Sequence, residues 1–319
     1  MKNYKYHIST FGEILIDFTY VGDSDKGQKL FAQNPGGAPA NVLVSATKLG
    51  SKTAFIGKAG QDMHGEFLRR TLEEESVNTE GFVLDNDSFT TLAFVDLDEN
   101  GERHFSFARK PGADTRLTEE EMNLEIIKDS KIFHVGSLSL THEPSRSTTF
   151  YGIQKAREEG VLISYDPNYR ASLWESKEHA IEQMKQIVPD VMKISDEETD
   201  LLTSHKDYES AAQELFQRGV KIVVVTIGSK GAYVYNKEGG THVSGFKSEV
   251  VDTTGAGDAF WGGFLHKIAD TEKSLEELSL AEIAQYAKFA NAVASLCVEG
   301  SGAIPSMPTL DSVMSRLVF

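Results

Sequence analysis

The sequence predicts a three-layer α/β/α protein built on a doubly wound, mostly parallel sheet, with a small second β-sheet outside the main layer. Three observations carry this. Short, strongly apolar, β-branched runs alternate with amphipathic helical stretches along most of the chain. Those runs do not alternate apolar with polar residues, as expected of strands covered by helices on both faces. One segment, 90–107, alternates in the manner of a hairpin solvated on one face. Strand, helix and strand repeated several times implies parallel pairing through right-handed crossovers.

In chain order, residues 7–16 read as a strand and 39–49 as a helix, with Pro39 near its first turn and Gly50 just past its end. Residues 53–56 form a second strand, followed by a helix near 65–75. Further strands at 132–135, 161–165, 191–194 and 222–226 alternate with helices near 145–159, 178–188 and 208–217. The exceptional segment comprises strands 90–98 and 103–107, joined by Glu99-Asn100-Gly101, a strong turn signal. Residues 17–31 have a similar extended look and are assigned to the same small sheet.

Composition narrows the functional classes. The chain has 319 residues, with 32 Lys and Arg against 48 Asp and Glu, a formal charge of −16. Such a surplus of acid disfavours non-specific binding to nucleic acid, whose phosphates reward cationic surfaces. The single cysteine, Cys297, excludes a disulfide framework and a multi-cysteine metal site. It lies in the apolar stretch 292–298 and reads as core packing in a reduced, cytoplasmic protein. The nine histidines show no metal-ligand spacing, and His104 reads as a surface residue. The longest apolar runs, 222–225 and 292–298, fall far short of the ~20 residues of a spanning helix. Near the N-terminus, Gly12, Glu13 and Asp17 interrupt any signal-like apolar run, so no membrane partner is expected.

The most informative stretch is Asp252-Thr253-Thr254-Gly255-Ala256-Gly257-Asp258, followed by an amphipathic run through Phe260, Phe264 and Ile268. It is neither a Walker loop nor a dinucleotide fingerprint, since the required lysine and third glycine are missing. Small residues at 255–257 let backbone amides approach a ligand, and a helix starting there adds the positive end of its dipole. An anion can thus be held without a cationic side chain. Asp258 falls in the first helical turn. Spacing alone leaves two readings open, an aspartate favoured by the dipole and a general base.

This segment resembles the second signature of the ribokinase-like (phosphofructokinase-B type) carbohydrate kinases, Asp-Thr-x-Gly-Ala-Gly-Asp, at all seven positions. The first signature is similar at Gly36-Gly37-Ala38-Pro39-Ala40-Asn41, Leu49-Gly50, Ile56-Gly57, Gly60-x-Asp62 and Gly65. The resemblance covers essentially the whole chain. It implies a ribokinase-like fold over residues 1–319, with a lid formed by about 17–35 and 88–112 that closes over the sugar. It further implies Asp258 as catalytic base and the Gly255, Ala256 and Gly257 amides as the anion hole for a phosphoryl group passing from ATP. Asp17, Gly36, Gly37 and Asn41 are implied sugar contacts. Thr226, Gly228 and Asn291 are implied nucleotide contacts. The family's Asn-x-x-Glu motif, which acts indirectly on Mg2+, corresponds to Ser195-Asp196-Glu197-Glu198, so Glu198 matches while Ser195 departs from the pattern. A monovalent cation (K+) held around Asp252, Thr254 and Gly302 and a homodimer formed through the lid are further family features.

The run Asp166-Pro167-Asn168-Tyr169-Arg170-Ala171-Ser172-Leu173-Trp174 follows a strand, where ligand loops of open α/β sheets belong. Its Asp-Pro-Asn-x-Arg-x-x-Leu-Trp pattern resembles that of the fructokinases, implying sugar or phosphate contacts from Asp166, Asn168 and Arg170. A reading of Arg170 as a partner of Asp166 that only holds the loop stays open beside it. Arg109, in Arg109-Lys110-Pro111-Gly112-Ala113-Asp114, resembles the fructokinase closing segment and is expected to reach toward substrate. The expected reaction is ATP-dependent phosphorylation of the primary hydroxyl of fructose to fructose 6-phosphate. A 2-keto-3-deoxygluconate kinase, an aminoimidazole riboside kinase and a catalytically silent sugar-binding sensor are the alternatives.

Overall fold

In the computed structural model, which describes residues 4–97 and 103–318, nine strands form the main sheet. Their order is β13-β12-β11-β10-β9-β8-β1-β4-β5. In chain order these are β1 (Tyr6–Phe11), β4 (Thr53–Gly60), β5 (Asn78–Asp85), β8 (Ser130–Gly136), β9 (Leu162–Asp166), β10 (Val191–Ser195), β11 (Ile222–Thr226), β12 (Gly231–Asn236) and β13 (Gly239–Ser244). The second sheet has the order β3-β2-β6-β7, from β2 (Leu15–Asp23), β3 (Lys29–Gly36), β6 (Leu92–Leu97) and β7 (Arg103–Ala108). The helices are α1 (Ala38–Lys48), α2 (Met63–Glu74), α3 (Leu124–Lys128), α4 (Ser145–Glu158), α5 (Lys177–Met184), α6 (Thr199–Leu202), α7 (Tyr208–Gln217), α8 (Ala256–Asp270), α9 (Leu280–Cys297) and α10 (Leu310–Val318).

The expected layering follows from side-chain alternation along each strand. Ile8, Phe55, Ile132 and Val224 face one core, which contains apolar residues of α1, α2, α8 and α9. Phe11, Ile56, Phe133 and Val225 face the other, with residues of α3, α4, α5 and α7. Both faces are thus covered, and the strands read as continuous apolar runs. From β1 the chain fills one edge through β4 and β5, then crosses back to build β8 through β11, all parallel. The order therefore reverses beside β1, the place where open α/β sheets bind ligands at their carboxyl edge.

Several elements differ from expectation for local reasons. The strand expected at 7–16 breaks at Gly12, where a Cβ would come within 2.6 Å of Pro39 Cγ at the start of α1. The chain leaves the main sheet there and resumes as β2 in the second sheet. The helix expected to reach Val188 ends at Met184, since Pro189 biases the residue before it toward extended backbone. Strands β12 and β13 were not anticipated: β12 runs antiparallel to β11, and β13 antiparallel to β12. In the second sheet β6 starts at Leu92, because Thr90 instead donates its N–H and hydroxyl to Asp62, both at 2.8 Å. The Glu99-Asn100-Gly101 turn lies outside the described residues, as does the His104 side chain.

Helices α1 and α8 approach closely because α8 carries glycine at their crossing. A Cβ on Gly262 would stand 2.5 Å from Ser45 Cβ and 2.6 Å from the Val42 carbonyl, and the Ser45 hydroxyl donates to the Ala259 carbonyl at 3.0 Å. Replacing Gly262 with valine overpacks this crossing. The Gly262→Val variant is expected to lose about 1–3 kcal/mol of unfolding free energy, seen as a lower urea midpoint. An unchanged midpoint would show that the close approach is not a constraint.

Candidate active site

The site is assembled at the N-terminal end of α8. Gly255 caps the helix with φ 78°, a left-handed conformation natural to glycine, and a Cβ there would meet Ala303 Cβ at 2.6 Å. The Ala256 N–H turns to the Thr253 carbonyl at 3.3 Å. The Gly255 and Gly257 N–H groups have no acceptor among the described residues, so with the helix dipole they present a positive end chemically suited to an anion.

Asp258, in the first turn of α8, is 8 % exposed. Asn41 of α1 donates its side-chain N–H to Asp258 Oδ2 at 2.8 Å, and Asn168 donates to Oδ1 at 3.4 Å. Burial pushes the Asp258 carboxyl up to about 6; Asp166 adds to this, while the Asn41 hydrogen bond, Lys193 and Arg170 oppose it. A carboxylate of this kind is ionised near neutrality yet holds a proton better than an ordinary aspartate, as a general base requires.

The loop after β9 faces this carboxylate. Asp166, buried at the strand end, accepts from Lys193 Nζ at 2.6 Å and from the Asn168 N–H at 3.2 Å. Asn168 adopts φ 46°, a left-handed turn that asparagine tolerates and that brings its amide to Asp258. Arg170 is exposed, with Nη1 on the Tyr169 carbonyl at 3.0 Å. Asp166 thus pairs with Lys193 rather than Arg170, against the reading of Arg170 as its partner.

Lys193 was missed at the sequence level, although a lysine inside the buried strand Val-Met-Lys-Ile-Ser is itself a signal. Burial works against its charge, but Asp166, Glu198 and Asp258 outweigh that and raise its pKa. Glu13 was also missed. Its Oε1 accepts the Ala38 N–H at 3.0 Å, fixing the start of α1, and burial pushes it up to about 7. The N–H and hydroxyl of Ser195 donate to Glu198 Oε2 at 2.9 and 3.1 Å, while Tyr169 N–H donates to Oε1 at 2.8 Å. Ser195 therefore has a definite place, anchoring Glu198 against the Arg170 loop.

Beside the α8 end lies a cavity of about 630 Å3, and Thr226, Gly228, Gly257 and Asn291 are among the residues that line it. The Asn291 amide spends its N–H groups on the Val243 and Ser244 carbonyls at 3.1 and 3.2 Å, so it holds β13 while lining the cavity. Asp17 lies opposite Asn34 across β2 and β3, and a Cβ on Gly36 would come against its carboxylate, so glycine there leaves that group room. Gly37, at φ 111°, packs on the Glu13 carbonyl just before α1. Asp252 accepts from Thr254 N–H at 2.8 Å and Gly302 N–H at 2.9 Å, tying two turns together. Gly302 in turn approaches Asn34 Oδ1, which joins the second sheet to this end of α8.

Arg109, expected to reach toward substrate, is held within the fold. It is 3 % exposed, and its fork is taken by Asp114, the Thr141 hydroxyl and the Leu138 carbonyl. Among the described residues no group of three or more His, Cys, Asp or Glu is placed to hold a metal, and no helix is long and apolar enough to cross a membrane.

The model of the pfkB family of carbohydrate kinases matches residues 5–310. Fructokinase-2 of Solanum lycopersicum is 43 % identical over 315 residues, covering 97 % of this chain and 95 % of the relative. The solved structure of an ATP-bound fructokinase from Xylella fastidiosa superposes with a TM-score of 0.90 at 34 % identity, covering 100 % of this chain and 99 % of that one. A double mutant of the fructokinase from Vibrio cholerae O395 with fructose, ADP and potassium ion bound gives 0.88 at 32 % identity, covering 99 % and 100 %.

The Asn41–Asp258 hydrogen bond favours the ionised carboxylate. Its removal in Asn41→Leu is expected to raise the Asp258 pKa above its value of about 6 by about one to two pH units, read from the carboxyl carbon in a 13C NMR titration. An unchanged or lower midpoint would contradict the electrostatic assignment.

Proposed function

The chain belongs to the pfkB family of carbohydrate kinases, and from that premise we propose that it is an ATP-dependent kinase that phosphorylates the primary hydroxyl of fructose, yielding fructose 6-phosphate. The observation that carries this reading is the buried Asp258 carboxylate beside the unpartnered amides of Gly255 and Gly257, between the cavity and the Asn41 and Asn168 amides. Fructose docks at the edge lined by Asp17, Gly36 and Asn41, beneath the second sheet acting as a lid inserted into one kinase domain. Arg170, exposed at the rim, supplies a planar cationic fork for sugar or phosphate. Deprotonation and transfer are concerted in the sense of charge. The hydroxyl proton passes to Asp258, the oxygen forms a bond to the γ-phosphorus, and the bond to the bridging oxygen breaks to release ADP. The amides meet charge as it develops.

ATP occupies the cavity beside Thr226, Gly228 and Asn291. Both Glu198 oxygens already accept hydrogen bonds within the chain, which fits a magnesium ion held by the nucleotide and reached through water rather than ligated directly. When bound, the ion neutralises phosphate charge. The Asp252 carboxylate, bridging the Thr254 and Gly302 turns, supports a potassium site formed by those turns.

Two measurements test the reading. Asp258→Asn is expected to lower turnover by ~10²–10⁴ while retaining sugar binding; normal turnover would remove Asp258 as base. A panel of fructose, 2-keto-3-deoxygluconate, aminoimidazole riboside and ribose, scored by ADP release, is expected to favour fructose. Activity on the sugar acid or riboside alone would reassign the substrate, and binding with no ADP release from any sugar would indicate a sensor.

A further inference from the structure

Lys193 is an ammonium group with no role in the mechanism above. It is 5 % exposed and stands on β10 among otherwise apolar, buried neighbours. Its Nζ lies directly under the first turn of α8, where a Cβ on Gly257 would be 3.4 Å away. An ammonium has three protons. Asp166 Oδ2, at 2.6 Å, accepts one, and the other two have no acceptor among the described residues.

The fold gives little reason for a charge here. Buried ion pairs are weak stabilisers, and well-packed apolar substitutes are often neutral or better. The site gives a stronger one. Asp166, Glu198 and Asp258 all act on this ammonium, so three carboxylates contribute negative field beside the end of α8. A phosphoryl group arriving there is itself anionic, and amides alone oppose that field with partial charges. A full positive charge held in a water-poor pocket counts for far more than one at the surface.

We propose that Lys193 is a catalytic cation of the anion hole, its two spare protons directed at the phosphoryl group in transit and its orientation set by Asp166. This rests on the reading that phosphoryl transfer takes place at the α8 end. Lys193 remains charged throughout, taking no proton from the sugar; it offsets charge as the bond to the bridging oxygen lengthens.

The test compares Lys193→Met and Lys193→Arg with the parent enzyme, using fructose and MgATP for turnover. Affinity for ADP with fluoroaluminate, a mimic of the phosphoryl group in flight, is measured with fructose present and set against affinity for a non-hydrolysable ATP analogue. Lys193→Met is expected to lose ~10²–10³ in kcat, the effect of removing one oxyanion donor. KM values should stay near the parent's, mimic affinity should fall in step with kcat, and arginine should restore part of the loss. Should Lys193→Met fail to fold because Asp166 is left buried and unpaired, Lys193→Met/Asp166→Asn is read against Asp166→Asn alone with the same expectation. Near-parent kcat, or equal loss of affinity for mimic and analogue, would overturn the proposal. If Asp258→Asn is inactive while Lys193→Met is active, only the Lys193 assignment fails; if Asp258→Asn is active, the underlying reading fails first.

Discussion

The close packing of α1 on α8 is the constraint on which the site depends. Gly262 admits Ser45 and the Val42 carbonyl, and the Ser45–Ala259 hydrogen bond pins the two helices together. Trp261 then donates its ring N–H to Ser164 at 3.0 Å, fixing α8 to β9. With α8 held on both sides, its first turn has one available position. Asn41 meets Asp258, Gly257 lies over Lys193, and water is displaced from the carboxylate. Burial and hydrogen bonding then set its proton affinity. The arrangement has a cost: the folded carboxyl titrates near 6 against 3.8 as the ordinary value, so ionising it weakens the fold as pH rises from about 4 to about 6.

Electrostatics resolve an apparent conflict between a formal charge of −16 and the anionic ligand proposed for the α8 end. Surface charge acts through water and salt and is screened within about a Debye length. The α8 end works over much shorter distances with fixed dipoles, unpartnered amides and a buried ammonium. Acid on the surface therefore does not decide what the pocket accepts. Within the pocket, burial and Asp166 push the Asp258 carboxyl up, and the Lys193 ammonium opposes them.

The parallel core was legible because its physics is local. Runs such as residues 132–135 and 222–226 are buried on both faces and announce themselves by composition. The glycine-rich end of α8 was legible for the same reason. What escaped was set by contacts distant in sequence. The break at Gly12 depends on Pro39 across the structure. The partners that enclose the Arg109 fork, Asp114, Thr141 and Leu138, come from separate segments. Asn291 lines the cavity, yet its N–H groups belong to the β13 carbonyls. Ser195 departs from the family motif, and only its hydrogen bonds to Glu198 show how the departure is accommodated. Lys193 was visible as an anomaly in an apolar strand, but its meaning needs Asp166 and Gly257 beside it.

The central claim is that a desolvated Asp258 acts as an ionised base. The most direct test is the pH dependence of kcat/KM for fructose in the unmodified enzyme, at saturating MgATP. The account predicts a limb governed by one proton, with activity falling below a midpoint near pH 6 and a plateau above it. A profile that stays level to pH 4.5, well below the value to which burial raises Asp258, would contradict it.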